Sequence, residues 1–450
     1  MTVSSTDGAA HDDTCRDACL ADLGAGRATV WLREPAAVPL VRADIARSAI
    51  SEAEARLARF APVLARLFPD GAWNGHIASP LLRYDTPPAE IGRLLVKADH
   101  RLPLTGTIKA RGGVYEVLCF VEAVARKEGL LVAGETYDII GTRAARRAFG
   151  AYRVGVASTG NLGLSVGMVA SRFGFATEIH MSRDAKAWKK NALREMGVTV
   201  VEHDCDYART VGIARRSFER AGKAHFIDDE RSRALFVGYA VGAAELAHQL
   251  SQAAIAISAE QPLIVYLPCG VGGAPGGITF GLKSIFGRNV ACVFVEPVAS
   301  ACMLAAIAFG EGRALPVYKL GLDNRTIADG LATPVASELA LAQIGPDIDA
   351  LAAVPDAAMM QWLSHAWSEA AMRLEPSAAA GFAAITPVAE ALRARPVSRG
   401  PLARFDDAVH VVWTTGGSLL RDDEFMGYLS YKLNSDLTEC ATHAKPAKRP

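Results

Sequence analysis

The chain has 450 residues, half of them hydrophobic and 21% charged, which excludes wholesale disorder and suffices for about two domains. Lysine plus arginine and aspartate plus glutamate each number 48, so the basic excess that a nucleic acid or an anionic membrane partner requires is missing. The longest apolar run, 301–309, falls far short of the roughly 20 residues of a membrane span, and the amino terminus has no basic-then-apolar leader, so a cytoplasmic location is expected.

Residues 1–25 are polar and weakly periodic and read as peripheral. They hold the only close pair among eight cysteines, Cys15 and Cys19, four and eight residues after His11. With no fourth ligand nearby, no metal site is expected, and the remaining cysteines are too sparse for a disulfide scaffold. Farther on, Lys109 lies between a turn at Gly106 and a helix-like stretch from Val114. A desolvated lysine is nucleophilic and forms imines with carbonyls, although on its own Lys109 reads more readily as a solvated surface lysine.

From here short β-branched runs alternate with longer amphipathic ones, the pattern of an α/β fold. Strands are expected at 153–157, 177–180, 198–201, 263–267, 290–295 and 409–413. Helices are expected from an Asp184 cap to Met196, ending at Gly197, and along Tyr207, Val211, Ala214 and Phe218. The connections are too long for hairpins, so the sheets should be mainly parallel. The stretch 394–404 reads as a loop, and the basic tail after Leu437 reads as frayed.

Three strand-to-glycine turns fall on this frame. Ser158, Thr159, Gly160 and Asn161 follow the first predicted strand and open a helix, a place suited to a carboxylate or to a plain structural turn. After the 263–267 strand come Gly270, Gly272, Gly273, Gly276 and Gly277, whose bare backbone can approach a phosphate. Neither a Walker lysine nor an aligned dinucleotide fingerprint accompanies them. The last strand runs into Thr414, Thr415 and a glycine pair, which sets a hydroxyl at the sheet edge. The glycine loop alone fits a phosphate-ligand binder without chemistry. All four segments together fit pyridoxal phosphate carrying an amino acid.

The strings around Thr107-Ile-Lys109-Ala-Arg-Gly-Gly, Ser158-Thr-Gly-Asn-Leu-Gly, Ala187-Trp-Lys-Lys190, Phe226-Ile-Asp-Asp-Glu230, Pro268-Cys-Gly-Val-Gly-Gly273, Ala328-Asp-Gly-Leu-Ala332 and Arg373-Leu-Glu-Pro-Ser377 resemble the pyridoxal-phosphate enzymes of fold type II, the tryptophan-synthase-β-like group. The resemblance runs from about Trp31 to Leu429, and the longer strings are similar to those of its D-serine-specific branch. It implies two open, mainly parallel α/β domains with the cofactor in the cleft between them: a large one of residues 1–111 and 227–450 and a small one of residues 112–226. It also implies a monomer that acts on a small amino-acid substrate. The expected reaction is β-elimination of D-serine to pyruvate and ammonia, with D-threonine slower.

Carried over by residue, Lys109 anchors pyridoxal 5'-phosphate covalently and, with Thr159, is the candidate base. Asn161 meets the phenolic oxygen of the cofactor, and Gly270, Val271, Gly272 and Gly273 hold its phosphate. Thr415 faces the pyridine nitrogen, while Ser158, Thr159, Gly160 and Asn161 bind the substrate carboxylate. Two positions depart from the usual pattern: Thr107 stands where serine is common, and Ala274 where glycine is. An enzyme of the same fold acting on L-serine or L-threonine would share every cofactor residue.

Overall fold

The computed structural model describes residues 6–33, 45–71, 73–132, 136–158, 160–183, 185–205 and 207–431, with 6–14, 207 and 208 described as backbone only. Thr159, the Asp184 cap and the tail after Leu437 therefore lie outside the described residues. Within them the chain forms strands β1 (Thr29–Leu32), β2 (Leu81–Tyr84), β3 (Leu94–Ala98), β4 (Arg153–Ala157), β5 (Ala176–Ser182), β6 (Thr199–His203), β7 (Ala224–Ile227), β8 (Leu263–Pro268), β9 (Val290–Pro297), β10 (Ala350–Val354) and β11 (Val409–Thr414).

These strands make two sheets. One has seven strands in the order β1-β10-β9-β8-β11-β3-β2, parallel except for antiparallel edges at β1 and β2. The other is all parallel, β6-β5-β4-β7. Each of the six predicted strands is present, extended by at most two residues at either end apart from its first residue in one case. The predicted 198–201 strand begins one residue later, at Thr199.

Strands buried on both faces, as parallel interior strands are, carry two cores. Alternate residues of β8 and β11, such as Val265 and Val411, join a cluster that continues through the helices Tyr115–Lys127 and Arg233–Gln252 into the four-stranded sheet. Ile264, Tyr266 and Val412 face the opposite cluster. Buried Val211, Ala214 and Phe218 confirm the helical face read over that stretch, which is the helix Tyr207–Glu219. The helix predicted from Asp184 begins at Ala187 and gives way to Gly197 in the left-handed region.

Two peripheral readings need correction. The amino-terminal stretch is a helix, Thr6–Gly24, anchored by buried Cys19 and Leu23. The 394–404 loop gives way at Pro401 to a 3-10 helix that buries Leu402 and Phe405. In both cases tertiary contact supplies the order that weak local periodicity does not.

The glycine-rich run also divides. Only its first part is a loop, because the helix Gly273–Phe286 starts directly after Gly272. Gly276, Gly277 and Gly281 instead let that helix lie against Arg233–Gln252; a Cβ at Gly281 would come within 2.6 Å of the Ala240 carbonyl oxygen and 2.7 Å of the Ala243 Cβ. Gly281→Ala should therefore cost about 1–3 kcal/mol of overpacking and lower Tm clearly, whereas Gly222→Ala, with nothing within 4 Å of the added atom, should leave it nearly unchanged. Thermal unfolding of both variants checks this.

Candidate active site

Strand C-termini of both sheets open onto one cavity of about 280 Å³, the place where open α/β sheets take ligands. Its lining brings together Lys109, Ser158, Gly160, Asn161, Gly270, Val271, Gly272, Gly273 and Thr415, the whole sequence-predicted set apart from Thr159.

The Lys109 wall rests on a buried ion cluster. Lys109 precedes a π-helical turn, Ala110–Val114. Two residues on, the Arg111 guanidinium donates to both Asp99 oxygens at 2.6 and 2.7 Å and to Glu245 at 2.8 Å. Lys97 also pairs with Glu245 and donates to the Ser79 carbonyl at 2.6 Å. Trp413 Nε1 donates to Asp99 at 2.8 Å, tying β11 to the same cluster. Burial alone would raise the Asp99 and Glu245 pKa values, but Arg111 and Lys97 hold both below the ordinary carboxylate range. Lys109 Nζ itself donates to Asp229 at 2.9 Å, beyond the end of β7.

The facing wall is the turn after β4. Ser158 N–H donates to the His180 carbonyl of β5 at 3.0 Å, and the Ser158 hydroxyl accepts from Gly160 N–H at 3.2 Å. The helix Asn161–Phe173 starts there. Asn161 Nδ2 donates to both oxygens of Glu375 at 3.1 Å. Burial, reinforced by Asp329, raises the Glu375 pKa. Thr107 is buried and shares a hydroxyl chain with Thr105 and Ser165, at 3.4 and 3.1 Å, instead of lining the main cavity.

At the third wall Gly272 sits at φ +102°, a conformation that favours glycine, and turns the chain into the helix Gly273–Phe286. The first intrahelical bond made there runs from Gly276 N–H to the Gly272 carbonyl, so the N–H groups before it precede the helical ladder and suit an anion. Ala274 fits as an ordinary first-turn residue, and Pro275 lacks an N–H at a position where none is needed.

The two strand-end threonines differ. Thr414 is used inside the fold, donating to the Lys97 carbonyl at 3.1 Å with its hydroxyl 2.7 Å from His100 Nδ1. Thr415 lines the cavity, and its buried hydroxyl has no hydrogen-bond partner among the described residues. Ser377 does the same from the helix Pro376–Ala383.

Asp229, Asp329, Glu375 and Ser377 also line the cavity, and none of them carried a role in the sequence reading. Their signal was present in the strings 226–230, 328–332 and 373–377. The glycine pair after Thr415 was a further sign, since a Cβ at Gly416 would lie 2.5 Å from Glu375 Oε1.

Residues 73–400 match the family model described as pyridoxal-phosphate dependent enzyme. The chain belongs to this family. Among the family's curated members, a protein named probable D-serine dehydratase from Cupriavidus pinatubonensis is 43% identical over 418 residues, covering 92% of this chain and 94% of that one. One of the same name from Burkholderia thailandensis is 46% identical over 414 residues, covering 90% and 92%. The fold is shared with diaminopropionate ammonia lyase from Escherichia coli, solved in complex with D-serine, at TM-score 0.69 and 18% identity over 90% of this chain and 97% of that one.

The family's cofactor is pyridoxal phosphate, and this cavity fits it. Two unpartnered buried hydroxyls, a glycine-walled helix start and a lysine amine face a common space. Two sets of variants follow. Thr415→Val should leave Tm almost unchanged, because the hydroxyl has no partner, yet change the absorbance of the bound cofactor; Thr414→Val should instead lower Tm by losing two hydrogen bonds. Asp99→Asn should cost about 3–5 kcal/mol by leaving Arg111 short of a counter-charge. Since Asp99 and Glu245 have folded pKa values below their unfolded ones, their stabilisation is full above about pH 5 and is lost as pH falls through about 4 and lower. Urea midpoints of parent and Asp99→Asn should accordingly converge on acidification.

Proposed function

We propose that this protein is a D-serine dehydratase, converting D-serine to pyruvate and ammonia, with D-threonine turned over more slowly. The observation that carries this is end-to-end similarity to proteins named probable D-serine dehydratase, 43–46% identical over at least 90% of both chains, joined to a cavity that presents the lysine, the anion-binding turns and the hydroxyls such chemistry uses.

When bound, pyridoxal phosphate supplies an electron sink for the charge left at Cα. Lys109 would anchor it covalently, and the backbone of Gly270, Val271, Gly272 and Gly273 would receive its phosphate. Ser158, Thr159, Gly160 and Asn161 would receive the substrate carboxylate, and Asn161 would also meet the phenolic oxygen of the cofactor. Asp229 accepts a hydrogen bond from Lys109 Nζ at 2.9 Å and so orients the amine. Lys109, as a free amine, would take the Cα proton, with Thr159 the other candidate for a D-substrate. Thr415 would offer the pyridine nitrogen a neutral hydroxyl and no counter-charge, which would favour prompt elimination over transamination.

The cleft lies between a small unit, residues 112–226, and a large one, residues 1–111 and 227–450. In support, all four strands of the smaller sheet fall between Arg153 and Ile227. The protein acts as a cytoplasmic monomer; exposed large apolar residues such as Val132, Ile285 and Tyr318 belong to separate elements and loops. No helix among the described residues is long and apolar enough to cross a membrane.

Inverting Cα with the carboxylate and nitrogen held fixed exchanges the hydrogen and side-chain positions, and a base misplaced by about 1 Å loses on the order of a hundredfold. Pyruvate formation should therefore be at least about tenfold more efficient, in kcat/KM, from D-serine than from L-serine. A coupled pyruvate assay on both enantiomers decides between the D- and L-specific readings. In parallel, borohydride should fix the cofactor on Lys109 in the parent, and Lys109→Ala should abolish both fixation and nearly all turnover.

A further inference from the structure

The lining of the cavity is short of positive charge for an anionic substrate. Among the described residues Lys109 is its one cation, against the acidic side chains of Asp229, Asp329 and Glu375. Lys109 already donates to Asp229, and as the cofactor's anchor it is committed to the bound group. A substrate carboxylate that leaves water beside acidic groups is costly to bind unless a positive partner meets it.

Lys189 stands beside the turn after β4. It lies buried on the helix Ala187–Glu195 and lines a narrow extension of the cavity together with Asn161, Asp329 and Glu375. A Cβ at Gly160 would come 3.9 Å from Lys189 Nζ, which places the amine over the start of the helix Asn161–Phe173. The first intrahelical bond there runs from Leu164 N–H to the Gly160 carbonyl at 3.4 Å, so the N–H groups before it precede the helical ladder and suit an anion. Packing builds this placement in. Leu193, one turn along the same face from Lys189, is fully buried, and a Cβ at Gly167 would lie 2.5 Å from its Cδ2. That close approach of the two helices sets Lys189 over the end that carries the turn.

The flanking lysines are committed more tightly elsewhere. Lys190 donates to Glu202 at 2.8 Å and to the Arg183 carbonyl at 2.7 Å, and Lys186 bonds Glu424. Lys189 meets Asp329 at 3.5 Å, and Asp329 is shared with Lys186 at 3.3 Å.

We infer that Lys189 is the counter-ion of the substrate carboxylate, its ammonium acting together with the backbone N–H groups of the turn at Ser158 to Asn161. The inference rests on the reading of that turn as the carboxylate site. Lysine suits the task, because a compact charge on a flexible stem can turn from Asp329 to an arriving anion. The consequence is selection for an α-carboxylate over its uncharged derivatives, which neither the glycine loop nor Lys109 supplies.

The test compares D-alanine, which lacks the leaving hydroxyl, with D-alaninamide, which lacks the carboxylate charge. Both are titrated into the full-length holoenzyme and read by the absorbance of the cofactor. The parent should prefer D-alanine, and in Lys189→Met that preference should shrink about tenfold or more with the amide bound as before. With D-serine the same variant should raise KM about tenfold or more and keep kcat within about threefold, since an interaction held equally in ground and transition state affects binding alone. Lys189→Arg should recover part of the affinity. Lys189→Gln is measured beside Lys189→Met, and the variant that keeps the parent's Tm serves for the comparison. A purely structural ion pair predicts that Asp329→Asn raises KM as Lys189→Met does; the counter-ion role predicts a lower KM, because the change removes a competing carboxylate. A Lys189 variant with the parent's preference overturns the inference, as does a raised KM in Asp329→Asn. A parent that binds both ligands equally overturns the carboxylate reading of the turn, and the inference with it.

Discussion

Three buried charges, Lys97, Asp99 and Arg111, and the partly buried Glu245 set the geometry on which the rest of the cavity depends. Taking such groups out of water is costly, and it is tolerated only where each finds opposite charge at hydrogen-bonding distance. Here Arg111 is fixed by both oxygens of Asp99 and by Glu245. That requirement leaves β3, the turn after Lys109, the helix Arg233–Gln252 and β11 little freedom relative to one another. Lys109 stands two residues from Arg111, and Thr415 two residues from Trp413, which also binds Asp99. Lys109 and the strand-end hydroxyl are thus held on one rigid support, as a preorganised site needs.

The opposite wall is joined to this support differently. One apolar cluster runs beneath the cavity from sheet to sheet, but at the mouth the bonds are polar. Asn161 meets Glu375, and Lys186 and Lys189 reach Asp329 at 3.3 and 3.5 Å. Trp188 donates to Glu424 at 3.1 Å, bringing the carboxy-terminal helix Asp422–Leu429 against the helix Ala187–Glu195. A dry floor fixes the distance between the walls, while a polar rim offers groups that can also bind a charged ligand.

Lys109, the strand-to-glycine turns that line the cavity and the α/β class were legible in the sequence by itself. Strand-then-glycine turns have a local cause, since backbone that must bend sharply or approach a ligand closely needs glycine wherever the chain later goes. The same holds for β8, β9 and β11, whose β-branched runs suit strands buried on both faces. Long-range similarity of the strings then pointed to the cofactor and to D-serine.

Other features were settled only by the tertiary structure. β10 is Ala-Leu-Ala-Ala-Val, with little intrinsic strand preference, and is held as a strand by β9 and β1. β3 carries Lys97 in its middle, which reads as surface until Glu245, 148 residues away, is placed against it. Thr414 and Thr415 are adjacent and chemically alike, and only the position of His100 and the cavity separates their tasks. Asp229, Glu375 and Ser377 are ordinary residues in their own segments. Burial and the approach of distant strand ends make them a site, because desolvation and distance act between residues that the chain order keeps far apart.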